Sequence, residues 1–323
     1  MGNILEVKNL HTYFYLDDSV VKAVEGVEFN LSRGEALGLV GESGCGKSMT
    51  AYSIVKLIDK PGEIERGEVI FDGKDLLKIS GKELSKIRGK DISLIFQEPH
   101  AALNPVYSVG FQITETIKVH NKGIKEKEVE ERVKNLLIKV GLNPEDKVKS
   151  YPHNLSGGEA QRVMIAQSLS CNPKILIADE PTTALDVTVQ AKIIKLFKKL
   201  QREENFSLIF ITHDLALCSQ IADRIAVMYS GQLVELASLD KIIKQPQHPY
   251  TKALFLSLPQ ENKRKKELRA IRGDVPEANR KPGGCFFHPR CKVKEERCLK
   301  MKPKLKKVSP GHWVRCFKRE DRR

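Results

Sequence analysis

At 323 residues, with 41% hydrophobic and 30% charged side chains, the chain carries enough apolar content for one large globular domain plus an appendage. No stretch approaches the roughly 18 to 20 apolar residues of a membrane span, and MGNILEVKNL has neither the layout of a secretory leader nor the Ser or Thr of a myristoylation pattern, so no spanning helix, leader or acyl anchor is expected. The net charge of +14 falls in residues 260–323, with 22 Lys and Arg against 8 Asp and Glu, which suits nucleic acid, anionic headgroups or solubility.

From residue 4 to about 97, short β-branched runs bounded by Gly and Asp (VEFNL, EALGLVG, GEVIFDG, DISLIFQ) predict strands. One long helix, KSMTAYSIVKLI, is expected between them. Ahead of that helix, GESGCGKS fits G-x-x-x-x-G-K-S and follows an apolar strand, the context a phosphate-binding loop requires. Its glycines let consecutive N–H groups and a helix N-terminus face phosphate, Lys47 reaches the β and γ phosphates of ATP, and Ser48 ligates Mg²⁺. The candidate nucleotide-binding set is thus Gly41, Glu42, Ser43, Gly44, Cys45, Gly46, Lys47, Ser48 and Met49, with Cys45 read as a small tolerated side chain.

Residues 100–173 read as a helical insert, in which KEKEVEERVKNLLIKVG places Val129, Val133, Leu136 and Val140 on one face of a charged helix that stops at Gly141. Inside it, LSGGEAQR sets Ser156, Gly157, Gly158 and Glu159 ahead of a helix as a second anion-binding N-terminus. One ATP has one set of phosphates, already held by the first loop, so two such sites on one chain call for a second chain. Strand and helix then alternate through KILIADE, TVQAKIIKLFKKLQREE, SLIFITHD and RIAVMYSG, which implies a largely parallel sheet covered by helices. ILIADE ends in two acids: Asp179 can hold Mg²⁺ through water while Glu180 polarises the attacking water.

After about residue 245, Pro, Gly, Lys and Arg dominate and periodicity fades. Four of the seven cysteines fall here, Cys285, Cys291, Cys298 and Cys316, separated by five, six and seventeen residues. Four thiolates from a loop-rich segment could fold it around a metal. The spacings are wider than the C-x₂-C knuckles of zinc ribbons, whereas a four-thiolate iron–sulfur cluster tolerates varied loops; both Zn²⁺ and a cluster stay open. Four thiolates complete either site, so His312 is expected at the surface. Cys171 and Cys218, in helical apolar surroundings, read as core.

The motifs in this order resemble the ATP-binding cassette family, whose nucleotide-binding domains pair head to tail with each ATP between one subunit's P-loop and the other's LSGGE turn. The resemblance implies a P-loop NTPase fold: an α/β class with a parallel sheet core, an antiparallel β subdomain and a helical signature subdomain at about 100–173. It also implies roles for Gln97, which senses Mg²⁺ or water and links to the membrane partner, for Asp186 at the end of PTTALD, and for His213, which contacts the γ-phosphate. Tyr15 in TYFYLDD is the aromatic chosen to stack on adenine. EPHAALNP, EPTTALDVTVQ, HPYTKAL and GDVPEANRKPGGCFFHPRC narrow the resemblance to the ATPase subunits of oligopeptide and dipeptide importers.

That family implies a nucleotide-binding domain over 1–245 and a cysteine-rich metal-binding extension over 246–323 holding a [4Fe-4S] cluster. It also implies a second ATPase subunit, identical or paralogous, two transmembrane permeases, an extracellular solute-binding protein acting indirectly, and peripheral attachment to the cytoplasmic face of the membrane. Relatives that import oligosaccharides or nickel share the architecture. A nucleic-acid-associated ATPase is the reading from another class, and no nucleic-acid partner is expected.

Overall fold

The computed structural model of the chain describes residues 2–257 and 271–320. The stretch of the basic tail between 258 and 270 lies outside the described residues. Two compact units divide the chain: a helical unit of Ser32–Glu35 and Lys78–Ile211, and a P-loop unit of Gly2–Leu31, Ala36–Leu77 and the chain from Thr212 onward.

The P-loop unit contains an antiparallel sheet in the spatial order Ser19–Ser32, Asn3–Leu16, Gly62–Phe71, Lys74–Asp75. Leu5 faces Phe71 and Val7 faces Val69 across the central pair, and all four side chains are buried. The same unit holds strand Ala36–Val40, parallel to Arg224–Tyr229, which pairs antiparallel with Gln232–Ser238. Two strands of the tail continue that ladder: His312–Val314 pairs with Gln232–Ser238, and Lys306–Ser309 pairs with His312–Val314, both antiparallel. Phe286 and Phe287 insert into one core with Tyr229, Tyr250, Val227 and Ile242. Each Phe buried in this way contributes about 2–3 kcal/mol. The C-terminal segment is therefore built into the unit that carries the P-loop.

In the helical unit, Ile92–Ile95, Ile175–Asp179 and Ser207–Thr212 form parallel strands, with Ile177 between Leu94 and Ile209. Helices Val109–His120, Glu126–Lys139 and Gly157–Leu169 pack on one another. Helix Glu126–Lys139 buries Val129, Val133, Leu136 and Leu137, as its periodicity requires, and the chain turns at Gly141 with φ of +73°.

Some expectations need correction. The helix after the P-loop is short, Lys47–Ile54, because Val55 ends it and Lys56 takes a left-handed φ of +56°. Beyond residue 245 the chain forms helices Pro249–Ser257 and Glu296–Lys300 besides the two strands; each is too short to show a period and stands through tertiary packing. Cys218 is core, but Cys171 is half-buried just past the end of helix Gly157–Leu169, its thiol donating to the Thr116 carbonyl at 3.7 Å.

Candidate functional site

Strand Ala36–Val40 is buried throughout and delivers the chain to Gly41, where the loop begins. A Cβ on Gly41 would stand 2.3 Å from the Met228 carbonyl oxygen. One on Gly46, whose φ is +99°, would stand 2.3 Å from the Ala23 carbonyl oxygen. Neither position admits a side chain without moving backbone. Ser43 and Gly44 form the exposed crest, and Cys45 is buried beneath it, its thiol pushed up to about 11 by burial, far from a reactive thiolate. Lys47, 4% exposed, donates from Nζ to the carbonyls of Gly41 and Glu42 at 2.9 and 3.1 Å, so the ammonium rests on the loop itself. Helix Lys47–Ile54 starts at Gly46 without a capping side chain, which leaves the positive end of its dipole for an anion. Ser48 and Met49 follow, both half-buried.

Glu42 is held from two sides. Its N–H donates to the Tyr250 hydroxyl at 3.0 Å, and its carboxylate accepts both terminal nitrogens of Arg290 at 2.7 and 3.0 Å. Tyr250 and Arg290 escape sequence reasoning; HPY and HPR are visible there as motifs, but nothing local names a partner. In the same unit, the Tyr15 ring is exposed near the end of its strand, with its hydroxyl donating to Glu65 at 2.6 Å, whereas Tyr13 and Phe14 are half-buried. Tyr15 is thus the one of the three that offers an open face. His213 is exposed directly after strand Ser207–Thr212, and Asp214 beside it caps helix Leu215–Ser219.

In the helical unit, buried Asp179 ends its strand. Glu180 takes a φ of +43°, a left-handed conformation that costs a non-glycine residue roughly 1 kcal/mol or more. Its N–H donates to Ile211 O at 3.0 Å and its carboxylate accepts from the Thr183 hydroxyl at 2.8 Å, so the strained residue is fixed at both ends. Gln97 is exposed beyond strand Ile92–Ile95.

Ser156 caps helix Gly157–Leu169 in a reciprocal box: its N–H and hydroxyl each donate to the Glu159 carboxylate at 2.9 Å. Glu159 also pairs with Lys147 at 2.8 Å, and these contacts, Lys147 first, hold its carboxyl down at about 2. Glu159 thereby fixes Ser156. A Cβ on Gly158 would stand 2.8 Å from Val189 Cγ1, and the Val189 N–H is one of two that the Asp186 carboxylate accepts at 3.0 Å. The turn at Ser156 and the cap at Asp186 are therefore packed together.

Cys285, Cys291, Cys298 and Cys316 line one cavity in the P-loop unit, walled also by Phe287, Phe317 and His248. Among the described residues no three His, Cys, Asp or Glu side chains form a group that could hold a metal ion. Burial pushes the Cys285 thiol up to about 11, and the other three thiols add to the rise. Burial also raises the Cys291 thiol.

His312 is not at the surface. It is 3% exposed on strand His312–Val314, and its Nε2 donates to buried Glu235 at 2.7 Å. Glu235 also accepts the N–H groups of Gln247 and His248 at 2.7 and 2.8 Å. The turn-like sequence SPGHW conceals this, because the partner lies far along the chain. Part of the tail's positive charge is likewise spent inside the unit: Lys281 and Lys302 reach Glu25 at 3.4 and 2.6 Å, and Arg315 donates to the carbonyls of Leu233 and Pro303. Burial lowers Lys281 to about 8 even with Glu25 opposing.

Comparison with known proteins agrees with this geometry. The ABC transporter family model matches residues 24–183, and the model for the C-terminal region of oligopeptide/dipeptide transporters matches 234–298. Over 99% of its length the chain is 47% identical to the oligopeptide transport ATP-binding protein AppD of Bacillus subtilis, 98% of which is covered. It is 45% identical to the dipeptide transport ATP-binding protein DppD of Escherichia coli, over 97% of the chain and 96% of that protein. Among solved structures, the ATP-binding cassette MJ0796 in a dimeric post-hydrolysis state with ADP and Pi matches at a TM-score of 0.66 and 30% identity, over 73% of this chain and 98% of that one.

Proposed function

The chain belongs to the ABC transporter family, among its oligopeptide and dipeptide transport ATP-binding proteins, and on that premise we propose that it hydrolyses ATP to drive peptide uptake through two membrane permeases. The observation that carries the reading is the uncapped helix start at Gly46 after the P-loop together with the Ser156 turn of LSGGE ahead of a second helix, on a chain whose tail also matches the peptide-transporter region.

The P-loop, Gly41 to Met49, wraps the phosphates, with Lys47 moving from the loop carbonyls to the β and γ oxygens. Ser48, Gln97 and Asp179 would hold Mg²⁺, and Tyr15 would stack on the base. Glu180, fixed by Thr183, polarises the attacking water, and His213 contacts the γ-phosphate. Ser156, Gly157, Gly158 and Asp186 serve the nucleotide of a second ATPase subunit, with Glu159 holding Ser156 in place. Phe96, Tyr107 and Phe111 are exposed on the unit that carries Gln97, and Tyr107 stacks on Phe111 at 4.5 Å, an apolar patch suited to a permease segment. Among the described residues no helix is long and apolar enough to cross a membrane. The chain attaches to the cytoplasmic face through such permeases. The domains follow as 1–245 for nucleotide and 246–323 for the tail; a solute-binding protein acts from the far side.

We propose that the cysteine pocket is the site of a [4Fe-4S] cluster, which Cys285, Cys291, Cys298 and Cys316 would hold. The spacings of five, six and seventeen residues are wider than zinc knuckles use, whereas a four-thiolate cluster tolerates varied loops. Bound there, the cluster would cross-link the tail and supply a redox-active iron centre. Full-length protein purified without oxygen should be brown with about four irons per chain; colourless protein with one zinc overturns the cluster. For transport, vesicles carrying the chain with its permeases and binding protein should take up peptide only with ATP, and uptake of nickel or oligosaccharide instead overturns the peptide reading.

A further inference from the structure

The segment that bears Cys285 and Cys291 also reaches the P-loop. Arg290, immediately before Cys291, has a side chain only 4% exposed. All five of its N–H donors find acceptors: Nε meets Arg272 O at 3.1 Å, Nη1 meets Glu42 Oε2 at 2.7 Å and the Tyr229 hydroxyl at 3.4 Å, and Nη2 meets Glu42 Oε1 at 3.0 Å and Ile271 O at 3.4 Å. A guanidinium so fully engaged cannot swing away alone. Its position is set by the turn from Cys285 to Cys291, where the His288 N–H donates to Cys285 O at 3.0 Å and the Phe287 ring packs edge-on against Tyr229 at 5.2 Å.

At the other end of the pair, Glu42 is the second residue of the phosphate loop. A free carboxylate there would repel the polyphosphate the loop must hold, and the bidentate pairing draws it off and neutralises it. Because the Glu42 N–H is also taken by Tyr250, both the side chain and the peptide plane of this residue are fixed by the C-terminal half of the unit. The Glu42 N–H shares its peptide plane with the Gly41 carbonyl, one of the two on which Lys47 rests, so the orientation of that peptide also sets the starting place of the phosphate-binding ammonium.

We propose that Arg290 is a positioning residue of the nucleotide site, and that through the Arg290–Glu42 pair the filling of the cysteine pocket controls how tightly the P-loop binds MgATP. The second clause rests on the reading of that pocket as a metal or cluster site; the first does not. Losing the group frees Cys285 and Cys291, loosens the turn between them, and releases Glu42 toward the phosphates.

The test is equilibrium binding of MgATP to the purified full-length chain, with metal content measured on every sample. Arg290→Ala should weaken MgATP binding on the order of tenfold or more with its metal retained, Arg290→Lys should fall between it and the parent, and Glu42→Gln with Arg290→Ala should be no worse than Arg290→Ala alone. In the assembled transporter the same variants should raise KM for ATP far more than they lower kcat. Parent protein stripped by chelator should lose affinity in the same direction, and stripping Arg290→Ala should add nothing. Parent-like MgATP affinity in a folded Arg290→Ala overturns the proposal. Weakened binding in Arg290→Ala without any effect of stripping refutes the control by the pocket and leaves Arg290 as a positioning residue. If the parent never holds metal or cluster, the reading of the pocket fails instead.

Discussion

His312 and Glu235 stand 77 positions apart in the chain and share a 2.7 Å hydrogen bond with both side chains buried. Glu235 is the hub, since it also receives two N–H groups at the start of the HPY segment. Glu235→Ala strands three donors, two of them buried, and should destabilise the full chain by about 3–5 kcal/mol, whereas His312→Ala, which leaves Glu235 two of its donors, should cost about 2 kcal/mol. Urea unfolding of both variants gives the order, and a reversed order removes Glu235 from that role.

The two signature glycines should differ in their tolerance. Gly158→Ala places a methyl 2.8 Å from Val189 Cγ1, whereas the nearest atom to a methyl on Gly157 is Leu185 Cδ2 at 3.4 Å. The first substitution should lower stability by about 1–3 kcal/mol and the second by far less. Thermal unfolding of the two proteins side by side decides it.

Glu180→Gln keeps the shape of the side chain and its bond from Thr183 but removes the charge that polarises water. Phosphate release should fall on the order of 10²-fold or more while MgATP still binds. Turnover at the parent rate would take Glu180 out of the reaction.

Stability should fall with acid through His248. Burial pushes its ring down to about 4, and its Nδ1 accepts the Tyr250 N–H, a bond available only to the unprotonated nitrogen. The unfolded imidazole takes its proton near 6.5, so between there and about 4 the unfolded chain binds more protons and stability drops as pH drops. The loss by pH 4.5 should be on the order of 2–3 kcal/mol. Burial alone would raise the Glu235 carboxyl, but the bonds from His312, Gln247 and His248 outweigh it and hold it below its usual value. Its contribution is therefore lost only at lower pH still. Urea midpoints at pH 7.5, 6 and 5 should converge between the parent and His248→Phe as the pH falls.

The nucleotide loops were legible in the sequence because their chemistry is local: GESGCGKS and LSGGE fix glycines, a cap and a lysine within a few residues, and Gly46 and Ser156 take the conformations that spacing demands. Helix Glu126–Lys139 was legible for the same reason, through one apolar stripe. What stayed hidden is non-local. Neither the burial of His312 nor the attachment of Arg290 to Glu42 follows from neighbouring residues, and the end of helix Lys47–Ile54 depends on a backbone turn at Lys56 that no composition signal marks. The tail's positive charge pointed toward a polyanion, while part of what is described of it serves Glu25, Glu42 and backbone carbonyls within the chain.

Strand Gln232–Ser238 is covered on one side only by residues near the end of the chain, His312–Val314. Until those residues emerge from the ribosome, or wherever a protease has removed them, the strand presents a row of unsatisfied amides and carbonyls along an open sheet margin, a template for pairing with another molecule. The C-terminal hairpin moves that margin out to the short strand Lys306–Ser309, whose two lysines resist such pairing, so a chain truncated before residue 306 should be lost to aggregates before its catalytic residues are ever tested.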